Sequence, residues 1–179
     1  MKSALLIGSA LFVSALPSAA SAEPVLLISI DGLQPADILK SEERGIQVSN
    51  LKQFITNGTY ADKVKGVLPT VTYPSHATLL TGVSPAKHGI VGNNSFDPMQ
   101  INQGGWYWYA TDFKVPTLWD AAAKAGLRTA NIHWPVSVQA KAVRWNIPQI
   151  WRTGHGDDAK LLKALATPGL IEALETDLG

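Results

Sequence analysis

The run Val25 to Ile30, VLLISI, followed at once by Asp31 and Gly32, constrains the fold more than any other feature of the chain. Branched apolar residues in one stretch, without alternation against polar ones, describe a strand covered on both faces, the environment of a parallel sheet layered with helices. The segments that follow supply such layers. Val48, Leu51, Phe54 and Ile55 share one helical face and Gly58 follows, which predicts a crossover helix. Thr59 to Leu68 has β-type residues interrupted by Lys63 and Lys65, the pattern of a strand nearer the sheet edge. A second helix is expected to begin at Pro74 and end near Gly82, because proline suits a first helical turn and glycine the position past the end. Pro116 to Ala125 reads as a third helix, with Leu118, Ala121, Ala122 and Ala125 spaced for a buried face and Gly126 as its stop. Arg128 to His133 is the next expected strand, closed by Trp134 and Pro135. Strands alternating with helices imply an α/β fold, a doubly wound, mostly parallel sheet with helices on both faces. Between the second and third helices, Asn93 to Lys114 lacks a sustained period and is expected to be a long loop of the kind that carries function.

Residues 1–22 read as a secretory signal rather than as part of this fold. Lys2 precedes an apolar stretch from Ala4 to Leu16, then Pro17 and small residues ending in the A-x-A pattern of Ala20 and Ala22, so cleavage is expected before Glu23. The apolar stretch falls short of the roughly 20 residues that span a bilayer core. The protein is therefore expected to be exported, periplasmic or secreted, with no membrane attachment after cleavage. The chain has no cysteine, so its stability has to come from burial or bound metal and not from disulfides. A formal net charge of +1 gives no reason to expect a nucleic-acid or anionic-membrane surface. Five of the six tryptophans fall between Trp106 and Trp145, an enrichment that serves either a core or a cleft wall, the core being the commoner use.

Three residues carry the candidate chemistry. Asp31 stands at the carboxyl end of the first expected strand, where open α/β sheets bind ligands, and its carboxylate can hold a divalent cation; its bland alternative is a turn residue before Gly32. Thr72 lies two residues before the expected helix start, where unpaired N–H groups and the helix dipole favour negative charge. An ionised threonine there would be a nucleophile for a phosphate, given a metal or base to take its proton, and the alternative is a plain N-cap. Thr70 is a weaker competitor because it lies farther from the helix. Asn93, after HGIVG, can donate its side-chain amide to a phosphoryl oxygen; Asn94 competes for that role, and a turn is the alternative. His76 and His88 stand isolated in segments that otherwise read as packing and are not taken as ligands. In GHGDD, Asp157 and Asp158 are expected to cap a helix carrying Leu161, Leu162 and Leu165.

Three segments, LLISIDGL from Leu26, PTVTYPSHATLLTGVSPAKHGIVGNN from Pro69 and VPTLWDAAAKAGLRTANIHWPVS from Val115, together resemble the bacterial nucleotide pyrophosphatase/phosphodiesterases of the alkaline phosphatase superfamily. The resemblance implies that Asp31 binds zinc, that Thr72 is both nucleophile and zinc ligand, and that Asn93 contacts the phosphoryl group. It implies two zinc ions in the complete enzyme and a small phosphodiester or nucleotide substrate. HWPVS departs from the family pattern, which often has an aromatic before Trp-Pro and a glycine after it. The remaining family ligands include an Asp-x-x-x-His and an Asp-His pair, and neither occurs here. Residues 23–179 are thus expected to form the N-terminal part of an alkaline phosphatase-like catalytic domain, inactive by itself. Kept open beside this are a monoesterase or phosphonate hydrolase of the same superfamily, a catalytically dead exported domain holding a phosphate-bearing ligand, and a broken reading frame.

Overall fold

The computed structural model describes residues 23–99, 105–151 and 156–178. The expected signal segment lies outside them. In chain order the elements are α1 (Pro35–Leu39), α2 (Ser49–Asn57), α3 (Thr72–Thr81), α4 (Pro85–His88), a 3₁₀ turn (Ala110–Asp112), α5 (Leu118–Lys124), β1 (Ala130–Ile132), β2 (Trp145–Ile147), α6 (Asp158–Leu165) and α7 (Leu170–Leu178). The result is a mixed α/β structure with a small parallel sheet, β1 beside β2, in which Ala130, Asn131 and Ile132 face Trp145, Asn146 and Ile147.

α3 is the organising helix. Tyr73, Ala77 and Leu80 recur at i, i+4 and i+7, so they share one face, and all three are buried. Tyr73 and Ala77 pack with Ile90, Trp108, Val136 and Val138, while Leu80 packs with Trp119, Trp134, Ala140 and Val143. Three of the tryptophans, Trp108, Trp119 and Trp134, are therefore core residues. The helix stops at Gly82, whose φ of 69° is the left-handed conformation that glycine adopts without penalty. α5 begins on a reciprocal cap. The Asp120 N–H donates to Thr117 Oγ1, and the Asp120 carboxylate accepts from the Thr117 N–H and hydroxyl.

The connection from β1 to β2 is held by polar groups buried with it. Asn131 Nδ2 donates to Asn146 Oδ1 at 2.7 Å across the register pair, and Asn146 Nδ2 donates to the Ser137 carbonyl at 2.7 Å. Asn131 Oδ1 accepts from the Trp134 N–H. His133, Val136 and Gln139 in this connection all have φ between 56° and 58°. For a β-branched, fully buried residue such as Val136 that conformation is strained.

Two expected strands are corrected. Residues 25–30 run extended and exposed, Val25 at 92% and Leu26 at 83%, and pair with no strand among the described residues. Residues 59–68 likewise form no strand. A double-sided apolar run reports a preference for burial, whereas ladder membership depends on a partner, which local sequence does not name. In residues 59–68, Lys63, Lys65 and Gly66 weaken even that preference. The second helix also starts two residues earlier than Pro74.

Candidate active site

The early start of α3 makes Thr72 its first residue, with Val71 at the N-cap. Pro74 fits the first turn because the N–H it lacks would have had no helical partner there. Thr72 does not cap the helix through its side chain. Its hydroxyl instead donates to Asp31 Oδ2 at 3.0 Å, across 41 residues of sequence. Asp31 is exposed and Thr72 half-buried, so the pair lies on an accessible surface at the positive end of the α3 dipole.

Asn93 joins the same helix start from the other side. Its Oδ1 accepts from the Tyr73 N–H at 3.0 Å, which satisfies one of the donors that a helix N-terminus leaves without an internal partner. Because a backbone N–H only donates, this contact assigns the oxygen and leaves the Asn93 Nδ2 group to donate elsewhere. The backbone of Asn93 is fixed as well, its carbonyl accepting from the Tyr107 N–H at 3.0 Å. Asn94 is exposed and forms a bridge with Trp106. Thr70 turns away from the pair, its hydroxyl donating to the Val67 carbonyl. The structure thus brings Asp31, Thr72 and Asn93 to one helix end.

The two histidines take different places. His88 is buried, with Nδ1 accepting from the Ile90 N–H and Nε2 at 3.0 Å from Thr78 Oγ1. Burial pushes its pKa down, partly offset by the Pro74 carbonyl, so the ring is neutral and serves packing. His76 instead borders the candidate site, a place that sequence reasoning missed. Its Nε2 lies 2.8 Å from Ser29 Oγ and its Nδ1 2.8 Å from the Thr72 carbonyl. Its ring also meets Trp134 edge-on at 5.1 Å. Beneath Thr72, Tyr73 is buried edge-on against Trp106 and Trp108, and its desolvated phenol is pushed above its ordinary pKa and stays neutral.

As a metal centre the described residues offer a partial set. Asp31 and Thr72 present two hard oxygen donors, a combination zinc accepts. No group of three or more His, Asp or Glu gathers for a metal among the described residues. Asp157 occupies the N-cap position of α6 and Asp158 its first turn, but Asp157 makes no side-chain cap hydrogen bond there; His155 lies outside the described residues.

The chain as a whole has counterparts among known proteins. A family model described as type I phosphodiesterase / nucleotide pyrophosphatase matches residues 25–169. The chain belongs to that family. It is similar to ectonucleotide pyrophosphatase/phosphodiesterase family member 1 of Homo sapiens, 32% identical over 153 residues, which cover 78% of this chain and 15% of the human protein. It is also similar to family member 3 of Rattus norvegicus, 29% identical over 137 residues, 72% of this chain and 15% of the rat protein. Against a venom phosphodiesterase of Naja atra it is 28% identical over 167 residues, 90% of this chain and 20% of the relative. The chain therefore spans a fifth or less of the length of these relatives.

Proposed function

We propose that the complete protein is an exported, zinc-dependent phosphodiesterase or nucleotide pyrophosphatase that cleaves its substrate through a phosphothreonine at Thr72. The observation that carries this reading is the contact of the Thr72 hydroxyl with Asp31 Oδ2, made in place of a helix cap, beside an asparagine amide whose oxygen is already committed. Residues 23–179 would be the N-terminal part of an alkaline phosphatase-like domain with a doubly wound sheet. Residues 1–22 would be a cleaved signal. No helix among the described residues is long and apolar enough to cross a membrane.

In this mechanism Asp31 and Thr72 would hold zinc together with ligands from the rest of the protein. Zinc, when bound, favours the ionised form of the threonine hydroxyl and stabilises charge on oxygens at phosphorus. Thr72 Oγ1 forms the new bond to phosphorus while the bond to the leaving oxygen breaks, that oxygen keeping the electron pair. Water then cleaves the phosphothreonine and restores the hydroxyl. Asn93 Nδ2 donates to a non-bridging oxygen and holds the phosphoryl group for in-line displacement, and the N-terminus of α3 favours the same negative charge. The test is Thr72→Ala in the full-length protein. Turnover of a phosphodiester should fall by on the order of 10³ to 10⁶, with no phosphoryl label retained after acid quench. Turnover at the wild-type rate would overturn the assignment.

A further inference from the structure

We propose that His76 is a positioning residue for the nucleophile, locking the start of α3 to the segment that carries Asp31; this rests on the reading of Thr72 given above. Asp31 and Thr72 come from chain segments that share no strand pairing among the described residues. The apolar side chains of residues 25–28 project into solvent and give that segment little packing. Among the described residues, two side-chain hydrogen bonds tie it to α3. One is the Thr72 hydroxyl to Asp31, the very contact that catalysis would have to break. The other runs through His76, with Ser29 Oγ at 2.8 Å from Nε2 and the Thr72 carbonyl at 2.8 Å from Nδ1. This second tie touches neither the Thr72 hydroxyl nor the Asp31 carboxylate, so it persists when both are engaged with substrate or metal.

The chemistry of the partners fixes the proton. A carbonyl oxygen only accepts, so the hydrogen of a neutral His76 ring sits on Nδ1, and bare Nε2 accepts from the Ser29 hydroxyl. Ser29 is two residues from Asp31, and the carbonyl that accepts from Nδ1 is Thr72's own. The ring therefore spans both halves of the candidate site with one rigid group. Its face is set by Trp134, whose ring stands edge-on to it at an interplanar angle of 77°. Trp134 is in turn held by its N–H to Asn131 and by the strained connection between β1 and β2. His76 thus transmits the placement of a buried core residue to the nucleophile, and displacement of a reacting group by about 1 Å can cost on the order of 10² in rate.

The experiment uses the full-length protein, with three substitutions at His76 and Thr72→Ala as reference, assayed on a chromogenic phosphodiester. His76→Ala is expected to lower kcat about 100-fold with KM changed less than about 3-fold. His76→Asn, whose amide nitrogen can replace Nδ1 toward the Thr72 carbonyl, should recover at least about tenfold of that loss, whereas His76→Gln, which reaches only toward Ser29, should recover less. Independently of activity, ¹⁵N spectra should show that the neutral form of the His76 imidazole carries its hydrogen on Nδ1 and not on Nε2. A kcat unchanged in His76→Ala, or losses equal in all three variants and tracking only the folded fraction, would overturn the proposal. So would a neutral ring that carries its hydrogen on Nε2. If Thr72→Ala turns over normally, the nucleophile reading fails instead, and the nitrogen spectra still decide the tautomer and the bridge.

Discussion

At the scale of single residues, the candidate site depends on which atoms are already committed. Asn93 Oδ1 is taken by the Tyr73 N–H, so the useful end of the side chain is its NH₂ group. Replacing Asn93 by Asp would keep that acceptor while putting a carboxylate where a donor is needed. Asn93→Asp should therefore fold as well as the native protein, yet lose on the order of 10² to 10³ in kcat/KM in the full-length enzyme, at least as much as Asn93→Ala. A thermal melt beside the kinetics separates the two effects, and an aspartate variant more active than the alanine one would refute the donor role. Asp112 gives a second test, of pH dependence. Burial raises its pKa against the opposing pull of the Tyr109 backbone, so its ionised form is disfavoured in the folded state. A raised folded value means that stability is full below the unfolded value, about 3.9, and is lost as pH rises through the folded one. Asp112→Asn should raise the Tm at neutral pH and leave it unchanged near pH 3.

At the scale of elements, proline and glycine marked ends better than apolar spacing marked faces: Leu118 and Ala121 of α5, Ala125 at its end and Phe54 of α2 are exposed, and the buried residue of α5 is Trp119. Thr117 and Asp120 lock the first turn of α5 reciprocally, and Thr117 is buried. Thr117→Ala should therefore cost about 1 kcal/mol, the usual value for a lost cap, and Thr117→Ser should recover most of it in a denaturant titration. A cost shared equally by the serine variant would place the effect in packing of the threonine methyl instead. The helices α2 and α5, read from periodicity, and α3, read from Pro74 and Gly82, lie close to where those signals put them, and β1 falls within the expected Arg128 to His133. Elements without room for a period went unread: α1 and α4, of five and four residues, and the three-residue β2. The candidate site residues could be singled out because Asp31, Thr72 and Asn93 each sit at a turn or helix end that local sequence marks. The His76 bridge could not. Its partner Ser29 is 47 residues away, and a hydrogen bond of that span leaves no local pattern.

At the scale of the whole molecule, the discord between residues 25–30 and their surroundings is the main physical fact. Val25, Leu26, Leu27, Ile28 and Ile30 are exposed at 92, 83, 54, 62 and 50%, and the extended backbone carrying them lacks ladder partners among the described residues. Exposed apolar surface with unpaired N–H and C=O groups is the template on which a second strand adds. The β-rich composition and lack of charge in this run match the segments that stack most readily. A polypeptide of residues 23–179 prepared alone should consequently self-associate through this run, giving a sedimentation profile that shifts to larger species between micromolar and tens of micromolar concentration. Leu26→Lys with Ile28→Lys, which puts two like charges on one face of the extended segment, should return it to the monomer, because stacking copies in register would bring those charges together. The same pair in the full-length protein should instead be destabilising, because the proposed doubly wound sheet would bury both positions and an unpaired buried lysine costs several kcal/mol. Opposite signs in the two settings identify residues 25–30 as a strand awaiting its neighbours, whereas a harmless double substitution in the full-length protein would show that this run stays on the surface and that the parallel-sheet reading of it is wrong.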